Sequence, residues 1–196
     1  MNTSAQRLRD GVRTVYSAAA EHPHAEHPFP VGRLFAEAVG YPKDLLDELP
    51  AAAAAFTGLS NIALWAAIPP GAAVLDVGCG AGLDALIAAR RAGDAGRVTG
   101  LDFSPAMLAR ARRAAAQAGC RNVNFHQSDA ETLPLPDNSV DVALVNGLFN
   151  LNPAREQIFR ELGRVVRSGG DLFAAEIVLR APLPPDARPG EADWFK

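Results

Sequence analysis

Residues that suit ligand binding cluster where a short apolar run passes through a glycine turn into a helical pattern. The run begins at Ala73, the turn spans residues 78–82, and the helical pattern begins at Leu83. Bare backbone lets a ligand approach closely, and the first N–H groups of a helix attract an anion or a carboxylate. Asp76 precedes the turn, where its charge repels a pyrophosphate but attracts an ammonium group. Asp102, at the end of the next apolar run, stands where a carboxylate binds ribose hydroxyls in such folds.

The spacing of the glycines distinguishes this turn from a dinucleotide site. A dinucleotide fingerprint needs a third glycine at the position that Leu83 occupies, and the motif here is GxGxG instead. Leu83 and Asp76 together disfavour a nicotinamide enzyme. The sequence therefore predicts a ligand that has a ribose and a charged amino-acid end but no phosphate.

The motif Asp76-x-Gly78-x-Gly80-x-Gly82, followed by Asp102 and then by Ser128-Asp129-Ala130, resembles the class I S-adenosylmethionine-dependent methyltransferases. The resemblance extends from about Ala73 to Leu179. It implies that the glycine loop holds the methionine moiety, that Asp102 binds the ribose hydroxyls and that Asp129 and Ala130 flank the adenine. S-adenosyl-L-methionine is then the expected cofactor, and methyl transfer to a small molecule the expected activity. The expected cofactor-binding residues are Asp76, Gly78, Cys79, Gly80, Gly82, Asp102, Phe103, Met107, Asp129, Ala130 and Asn146.

The sequence assigns no catalytic residue. Methyl transfer is an in-line displacement, and positioning alone can supply about 7 to 11 kcal/mol, so a catalytic dyad is not required. The residues expected to line the transfer site follow the fourth strand and are Asn146, Gly147, Phe149 and Asn150. For Asn146, a structural role as the cap at the end of its strand is an equally good interpretation. Glu176 is a candidate general base, whereas His126 sits in mid-strand and fits a structural role better.

The segment before the first strand resembles the N-terminal extension of arsenite methyltransferases. The resembling residues are Val12-Arg13-Thr14-Val15-Tyr16, Tyr41-Pro42, Leu49-Pro50, Phe56-x-Gly58 and Asn61. The resemblance implies a helical lid that brings Tyr16 over the cofactor, although Tyr16 can equally pack against the sheet. Arsenite methyltransferases bind arsenic through several thiolates, yet this chain has only Cys79 and Cys120. Arsenite methylation therefore remains an alternative, as does a module that binds the cofactor without transferring its methyl group.

The histidine-rich stretch 21–28 contains three histidines and two acids, which are potential metal ligands. Its prolines indicate an extended loop, and spacing alone does not make ligands converge. No metal site is predicted.

Composition indicates one ordinary globular domain. The chain has 196 residues, of which 48% are hydrophobic and 21% charged, and its formal net charge is −3. A nucleic-acid partner would need a basic face, so none is expected. No apolar run is long enough for a membrane span, the first ten residues do not resemble a secretory signal, and two cysteines do not form a disulfide framework. We therefore expect a cytoplasmic protein with no membrane partner.

Alternating strands and helices predict an α/β fold, namely a doubly wound, mainly parallel Rossmann-like sheet with helices on both faces and an N-terminal helical extension. Expected helical segments are 3–20, 31–40, 45–49, 51–55, 59–65, one that begins at Leu83, 105–119 and one containing residues 158–166. Expected strands are 73–77, 97–101, 123–127, 140–145 and 171–179. The expected units are an extension or lid over residues 1–70, a cofactor-binding core over 71–180 and a proline-rich tail over 181–196.

The fifth strand has no successor in the sequence, although the family usually adds a helix and two strands after it. This strand is therefore expected to present an open edge, which proteins normally pair or cover. The favoured interpretation is that the chain is shortened at Trp194-Phe195. The alternatives are that the proline-rich tail covers the edge or that a second copy does so in a homodimer.

Overall fold

A computed structural model of the chain describes residues 4–182 and 186. The helices are α1 (Ser4–Glu21), α2 (Arg33–Ala38), α3 (Lys43–Glu48), α4 (Pro50–Ala53), α5 (Ile62–Trp65), α6 (Leu83–Ala92), α7 (Pro105–Gln117) and α8 (Arg155–Val165), with a 3-10 turn at Phe149–Leu151. The strands are β1 (Ala73–Val77), β2 (Arg97–Asp102), β3 (Val123–Gln127), β4 (Val140–Asn146) and β5 (Val166–Ala175).

The strands form one parallel sheet in the order β3-β2-β1-β4-β5. The central strand β1 pairs with β2 on one side and with β4 on the other. Strands β2 and β3 therefore extend the sheet on one side of β1, and β4 and β5 extend it on the opposite side. In sheets of this kind ligands bind beyond the carboxyl ends of the strands, at the point where the strand order reverses. The predicted fold class is confirmed, and the order places the glycine turn at this position.

Both faces of the sheet are buried, and β1 contributes to each because its side chains alternate. Val74 packs with Leu86 on the face that α6 and α7 cover, whereas Leu75 packs with Ile158 and Leu162 on the α8 face. Every residue of β1 is buried, as expected for the central strand of a doubly covered parallel sheet.

The N-terminal extension shares the hydrophobic core of the sheet. Leu46, Leu49 and Phe56 belong to the same buried cluster as Leu86 of α6. Helix α1 packs on α7, where Ala19 and Ala20 lie against Met107. A unit boundary at residue 70 remains a prediction.

The fifth strand lies earlier than the sequence predicted. It begins at Val166 directly after α8 and ends at Ala175, not at Leu179. Its register against β4 shifts between Val140 and Val142, because residues 168–170 form an irregularity inside β5. Its last ladder bond runs from Gly147 N to Ala175 O at 2.9 Å, and beyond that point the chain after β4 turns into the 3-10 segment. Without a partner strand, the residues after Ala175 leave the sheet.

Helical segments of the extension are shorter than predicted, since α2, α4 and α5 contain six, four and four residues. Prolines and glycines between them interrupt the helical hydrogen bonds.

The proline-rich tail expected over 181–196, including Trp194-Phe195, lies outside the described residues except for 181, 182 and 186. Among the described residues, no helix combines the length and the apolar character that crossing a membrane requires.

Candidate functional site

The glycine loop forms a tight turn between β1 and α6. Gly78, Gly80 and Gly82 have φ angles of 74°, 53° and 89°, a region that favours glycine. A side chain at Gly82 would meet Ala111 at 3.0 Å, so Gly82 allows α7 to pack closely. A Cβ at Gly80 would meet only the Met107 sulfur, at 3.9 Å. The loop therefore exposes bare backbone at Gly80.

Asp102 ties the glycine loop to the start of α7. Its carboxylate accepts hydrogen bonds from Gly80 N at 2.9 Å and from Ser104 N at 2.8 Å. The Ser104 hydroxyl accepts from Met107 N and caps α7. Asp102 is 6% exposed, and burial raises its pKa to about 6 in spite of the hydrogen bonds from backbone N–H groups.

Asp76 is almost completely buried and only partly satisfied. It is 1% exposed, and its Oδ2 atom is buried without a hydrogen-bond partner. Burial, and then the charges of Asp84 and Asp102, hold its pKa well above the usual range. A buried oxygen of this kind suits a cationic donor such as an ammonium group.

Asp84, for which the sequence predicted no role, is the third buried carboxyl group of the site. It accepts hydrogen bonds from the Tyr41 hydroxyl, from Asn146 Nδ2 at 2.8 Å and from Ala63 N at 3.3 Å. Burial raises its pKa, and the bonds from Tyr41 and Asn146 oppose that rise. No local signal in the sequence distinguished Asp84 from an ordinary first-turn helix acid, because its partners are distant in the chain.

Asn146 binds protein groups with both atoms of its amide. Its Oδ1 accepts from Leu59 N at 2.8 Å and Ser60 N at 3.1 Å, and its Nδ2 donates to Ser60 O at 2.7 Å and to Asp84. Asn146 thus fastens the 58–60 loop of the extension to the end of β4. Its predicted cofactor contact remains a prediction.

These residues line one cavity at the carboxyl ends of β1, β2 and β4, which encloses about 1030 Å³ including space open to solvent. Nine of the predicted cofactor-binding residues lie in its wall, namely Asp76, Gly78, Cys79, Gly80, Asp102, Phe103, Asp129, Ala130 and Asn146. Gly82 and Met107 lie behind the wall, in the packing of the loop against α7. Wall residues that the sequence did not predict include Arg9, Val12, Ala52, Thr57, Asp84, Glu131, Leu151 and Asn152.

Helix α1 closes one side of the cavity and is held there by charged pairs. Arg9 bonds to Glu131 at 2.6 Å, and Arg13 lies 3.4 Å from Asp129 and over the ring of Phe103. These contacts join α1 to the loop that follows β3. A lid role for α1 stays a prediction.

Tyr16 of the same helix lines the cavity and stacks on Phe29, with ring centroids 4.6 Å apart. Burial, and then the charges of Asp102 and Glu176, raise the pKa of Tyr16. The phenol therefore stays protonated and neutral.

Glu176, the candidate general base, lies just outside the cavity wall. Its Oε1 accepts from Leu148 N and Phe149 N, both at 2.6 Å, and its Oε2 is buried without a partner. The carboxylate thereby holds the turn that follows β4. His126 is exposed on β3 and does not line the cavity.

The two cysteines are free and lie apart. Cys79 is buried in the glycine loop, where burial and the charges of Asp102 and Asp76 raise its pKa, and Cys120 does not line the cavity. Within residues 4–182 and 186, no three side chains of the metal-binding types form a metal-binding group. His27 instead contacts the carbonyl of His22.

The wall fits S-adenosylmethionine in two specific respects. Asp76 offers an unpaired buried oxygen for the ammonium group, and Gly80 leaves the space that a side chain would fill. Asp102 lies beside this space and would hold the ribose hydroxyls, while Asp129 and Ala130 border the end of the cavity expected to receive the adenine.

Comparisons with known proteins agree with the interpretation of the cavity as a site for S-adenosylmethionine. A family model described as a methyltransferase domain matches residues 68–194. An arsenite methyltransferase of Halobacterium salinarum is 36% identical over 152 residues, which are 78% of this chain and 39% of the relative. A demethylmenaquinone methyltransferase of Listeria monocytogenes is 41% identical over 106 residues, 54% of this chain and 44% of the relative.

Solved structures show the same relationship. An arsenic(III) S-adenosylmethionine methyltransferase from Chlamydomonas reinhardtii superimposes with a TM-score of 0.61 at 31% identity, covering 79% of this chain and 52% of the other. A SAM-dependent methyltransferase from Aquifex aeolicus gives a TM-score of 0.54 at 27% identity, covering 61% of this chain and 65% of the other. This chain spans about two fifths of the length of the arsenite methyltransferase and of the demethylmenaquinone methyltransferase that it matches. The chain belongs to the methyltransferase-domain family, in which S-adenosylmethionine is the cofactor.

Proposed function

We propose that this chain is the cofactor-binding part of an S-adenosylmethionine-dependent methyltransferase that acts on a small molecule. The observation that carries the proposal is the single cavity in which bare Gly80, the unpaired oxygen of Asp76 and the carboxylate of Asp102 meet an apolar wall. The predicted cofactor-binding residues, including Phe103, Asp129 and Ala130, are part of the same proposal.

The chemistry needs little from the protein beyond geometry. When bound, the cofactor supplies an electrophilic methyl group on a positively charged sulfur. The protein holds the acceptor on the axis of the bond that breaks and excludes water, and such positioning is worth about 7 to 11 kcal/mol. Helix α1 lines the cavity with Val12 and Tyr16.

Titration calorimetry with S-adenosylmethionine and S-adenosylhomocysteine tests the proposal. We expect both to bind, and Asp102→Ala to weaken binding at least tenfold because the ribose loses its charged acceptor. Asp94→Ala is the matched control, since Asp94 is exposed between α6 and β2, away from the cavity. No binding by the wild-type protein at millimolar ligand would disprove the proposal.

The alternative is a module that binds the cofactor without using it. Incubation with methyl-labelled cofactor and a panel of phenols, amines and thiols separates the two, because such a module binds but labels no acceptor. The enzyme proposal requires label on at least one acceptor.

Arsenite methylation is the alternative that the names of two relatives suggest. Among the described residues, Cys79 is the one thiol in the wall, and its raised pKa disfavours the thiolate that arsenic binds. A single buried thiol does not make a multi-thiolate site, so a small organic acceptor is the better-supported proposal.

We infer further that the protein is cytoplasmic, that it has no nucleic-acid partner and that two copies associate through the free edge of β5. The net charge of −3 supports the second inference, and the free thiols of both cysteines suit a reducing compartment. The unpaired outer edge of β5 in the described residues supports the third inference.

A further inference from the structure

Asp84 contacts the cavity and the N-terminal extension at the same time. Its side chain lines the cavity, and its carboxylate accepts hydrogen bonds from the Tyr41 hydroxyl and from Ala63 N, which both belong to the extension. The same carboxylate accepts from Asn146 Nδ2 at 2.8 Å, at the end of β4. One side chain therefore joins the expected cofactor site to the extension and to the sheet.

The loop at residues 58–60 lies tightly against the Asn146 amide. Asn146 Oδ1 accepts from Leu59 N at 2.8 Å and from Ser60 N at 3.1 Å. A Cβ at Gly58 would lie only 2.6 Å from Asn146 Nδ2, so no space separates the loop from the amide. The position of the loop therefore depends on how firmly the Asn146 amide is held.

The negative charges of Asp76 and Asp84 oppose each other in the free protein. Both carboxyl groups are buried, and within the part of the chain that the structure describes neither forms an ion pair with a base. Burial, and then the charge of Asp84, raise the pKa of Asp76. An ammonium group beside the unpaired Oδ2 atom of Asp76 would compensate both charges. Such a group therefore favours the ionised form of Asp84.

We propose that Asp84 is a positioning residue that couples occupancy of the ammonium site at Asp76 to the 58–60 loop. This inference rests on the proposed function and assigns a role within that same site. A hydrogen bond to an ionised carboxylate is roughly twice as strong as one between neutral groups, so the bound cofactor makes Asp84 hold Asn146 more firmly. Gly58 lines the cavity, and the cofactor therefore orders a part of the wall beside its own site.

Hydrogen exchange of the Leu59 and Ser60 amides measures how firmly the loop is held. Neither residue lines the cavity, so a bound ligand does not cover these amides directly. We expect saturation with S-adenosylhomocysteine to slow their exchange at least about threefold, because opening the loop then works against charge-assisted hydrogen bonds. Unchanged exchange in the saturated protein would overturn the inference.

A ligand without the ammonium group tests the origin of this effect. 5′-Methylthioadenosine has the nucleoside and the sulfur of S-adenosylhomocysteine but lacks its amino-acid end. With this ligand we expect the Leu59 and Ser60 amides to exchange as in the free protein. Equal slowing by both ligands would show that the charge at Asp76 does not control the loop. This comparison needs only the wild-type protein.

Asp84→Asn keeps the size of the side chain and removes its charge. In this variant S-adenosylhomocysteine should no longer slow the exchange of Leu59 and Ser60, and it should bind about threefold more weakly because coupling between two sites is reciprocal. A purely structural Asp84 would lower stability and leave the slowing by the ligand intact, which would contradict the inference. Glu48→Gln is the matched control and should respond as the wild type does. It removes the pair of Glu48 with Arg90, a contact between the extension and α6 outside the cavity.

The two proposals fail in different ways. If S-adenosylhomocysteine does not bind to the wild-type protein, the proposed function is wrong. If it binds and the 58–60 loop exchanges as before, only the positioning role of Asp84 is wrong.

Discussion

Three carboxyl groups share one cavity wall although each is more than nine-tenths buried. Asp76, Asp84 and Asp102 are 1%, 6% and 6% exposed. Burial raises the pKa of each one, and among the described residues none of the three has a cationic partner. Such groups destabilise the free protein and prepare it for a positively charged ligand, which is the usual relation between function and stability at a site.

Asp76→Asn should stabilise the free protein and weaken cofactor binding. The folded-state pKa of Asp76 lies above its unfolded value, so its carboxyl group lowers stability as pH rises through the interval between them. We expect the variant to gain about 0.5 to 2 kcal/mol in free energy of unfolding at pH 7 and to match the wild type near pH 4. The affinity for S-adenosylmethionine should fall about tenfold or more, because the ammonium loses a charged acceptor.

Urea unfolding at both pH values and calorimetry measure these effects. Asp94→Asn, at an exposed position, is the control and should change neither quantity. A variant that is less stable than the wild type at pH 7 and pH 4 alike would show that Asp76 is a structural acceptor and not a strained functional group.

Cofactor affinity should decrease as the pH falls through 6. The pKa of Asp102 is about 6, so acid converts the carboxylate that accepts the ribose hydroxyls into a weaker acceptor. We expect a nearly constant dissociation constant above pH 7 and an increase of up to about tenfold per pH unit below pH 6. Calorimetry of Asp76→Asn across the same range isolates the contribution of Asp102. A dissociation constant that stays level down to pH 5 in that variant would contradict the assignment.

At the scale of elements, the sequence predicted the strands and the main helices of the core because their signals are local. Ser104 and Pro105 mark the start of α7, and the glycine turn marks the junction of β1 and α6. The end of β5 was mispredicted because the apolar pattern continues to Leu179, whereas pairing ends when the chain beyond β4 turns away at Gly147.

The missed part of the site depends on long-range contacts. Asp84 joins Tyr41 and Asn146, which lie 43 and 62 residues away in the chain, so no local pattern could reveal the network. The same holds for Arg9, whose partner Glu131 is 122 residues away. Sequence patterns therefore located the floor of the cavity, and the structure was needed to find the groups that close it.

Removal of the Asn146 side chain should loosen the extension from the sheet. Asn146→Ala leaves Leu59 N and Ser60 N without their acceptor and Asp84 without one donor. We expect a loss of about 1 to 3 kcal/mol in the free energy of unfolding, measured in urea, because the groups left unpaired are partly buried. Asn124→Ala, at an exposed position on β3, should have little effect.

Asn146→Asp sharpens this test. It keeps an acceptor for the two N–H groups but places a second carboxylate beside Asp84. The variant should therefore be less stable at pH 7 than at pH 5, relative to the wild type at each pH. Wild-type stability of both Asn146 variants would mean that the network does not hold the extension.

Helix α1 should retain the bound cofactor through its charged pairs. The double change Arg9→Gln and Arg13→Gln removes the contacts to Glu131 and Asp129. Partly exposed pairs contribute about 0.2 to 1 kcal/mol each, so we expect S-adenosylhomocysteine to dissociate roughly two to tenfold faster. Stopped-flow displacement measures the rate, and Arg7→Gln, exposed on the same helix, is the control. An unchanged rate in the double variant, or an equal increase in Arg7→Gln, would exclude this role for the pairs.

For the whole molecule, the main unsatisfied feature is the outer edge of β5. Within the described residues β5 pairs only with β4, and its other edge presents unpaired backbone groups. Apolar side chains lie near this edge, since Leu172 of β5 is 40% exposed and Ile177, two residues beyond the end of β5, is 61% exposed. Exposed edges with apolar side chains favour association with another strand.

We therefore expect the protein to self-associate through the outer edge of β5 as its concentration rises. A lysine at the edge disfavours strand pairing because the charge would be buried between the copies. Leu172→Lys should shift the monomer–dimer equilibrium toward the monomer by at least about tenfold, as sedimentation velocity over a concentration series can measure. Leu34→Lys is the matched control, because Leu34 is apolar and 81% exposed but belongs to α2. A wild-type protein that stays monomeric at its highest concentration, or an equal shift in Leu34→Lys, would show that the β5 edge is not a site of self-association.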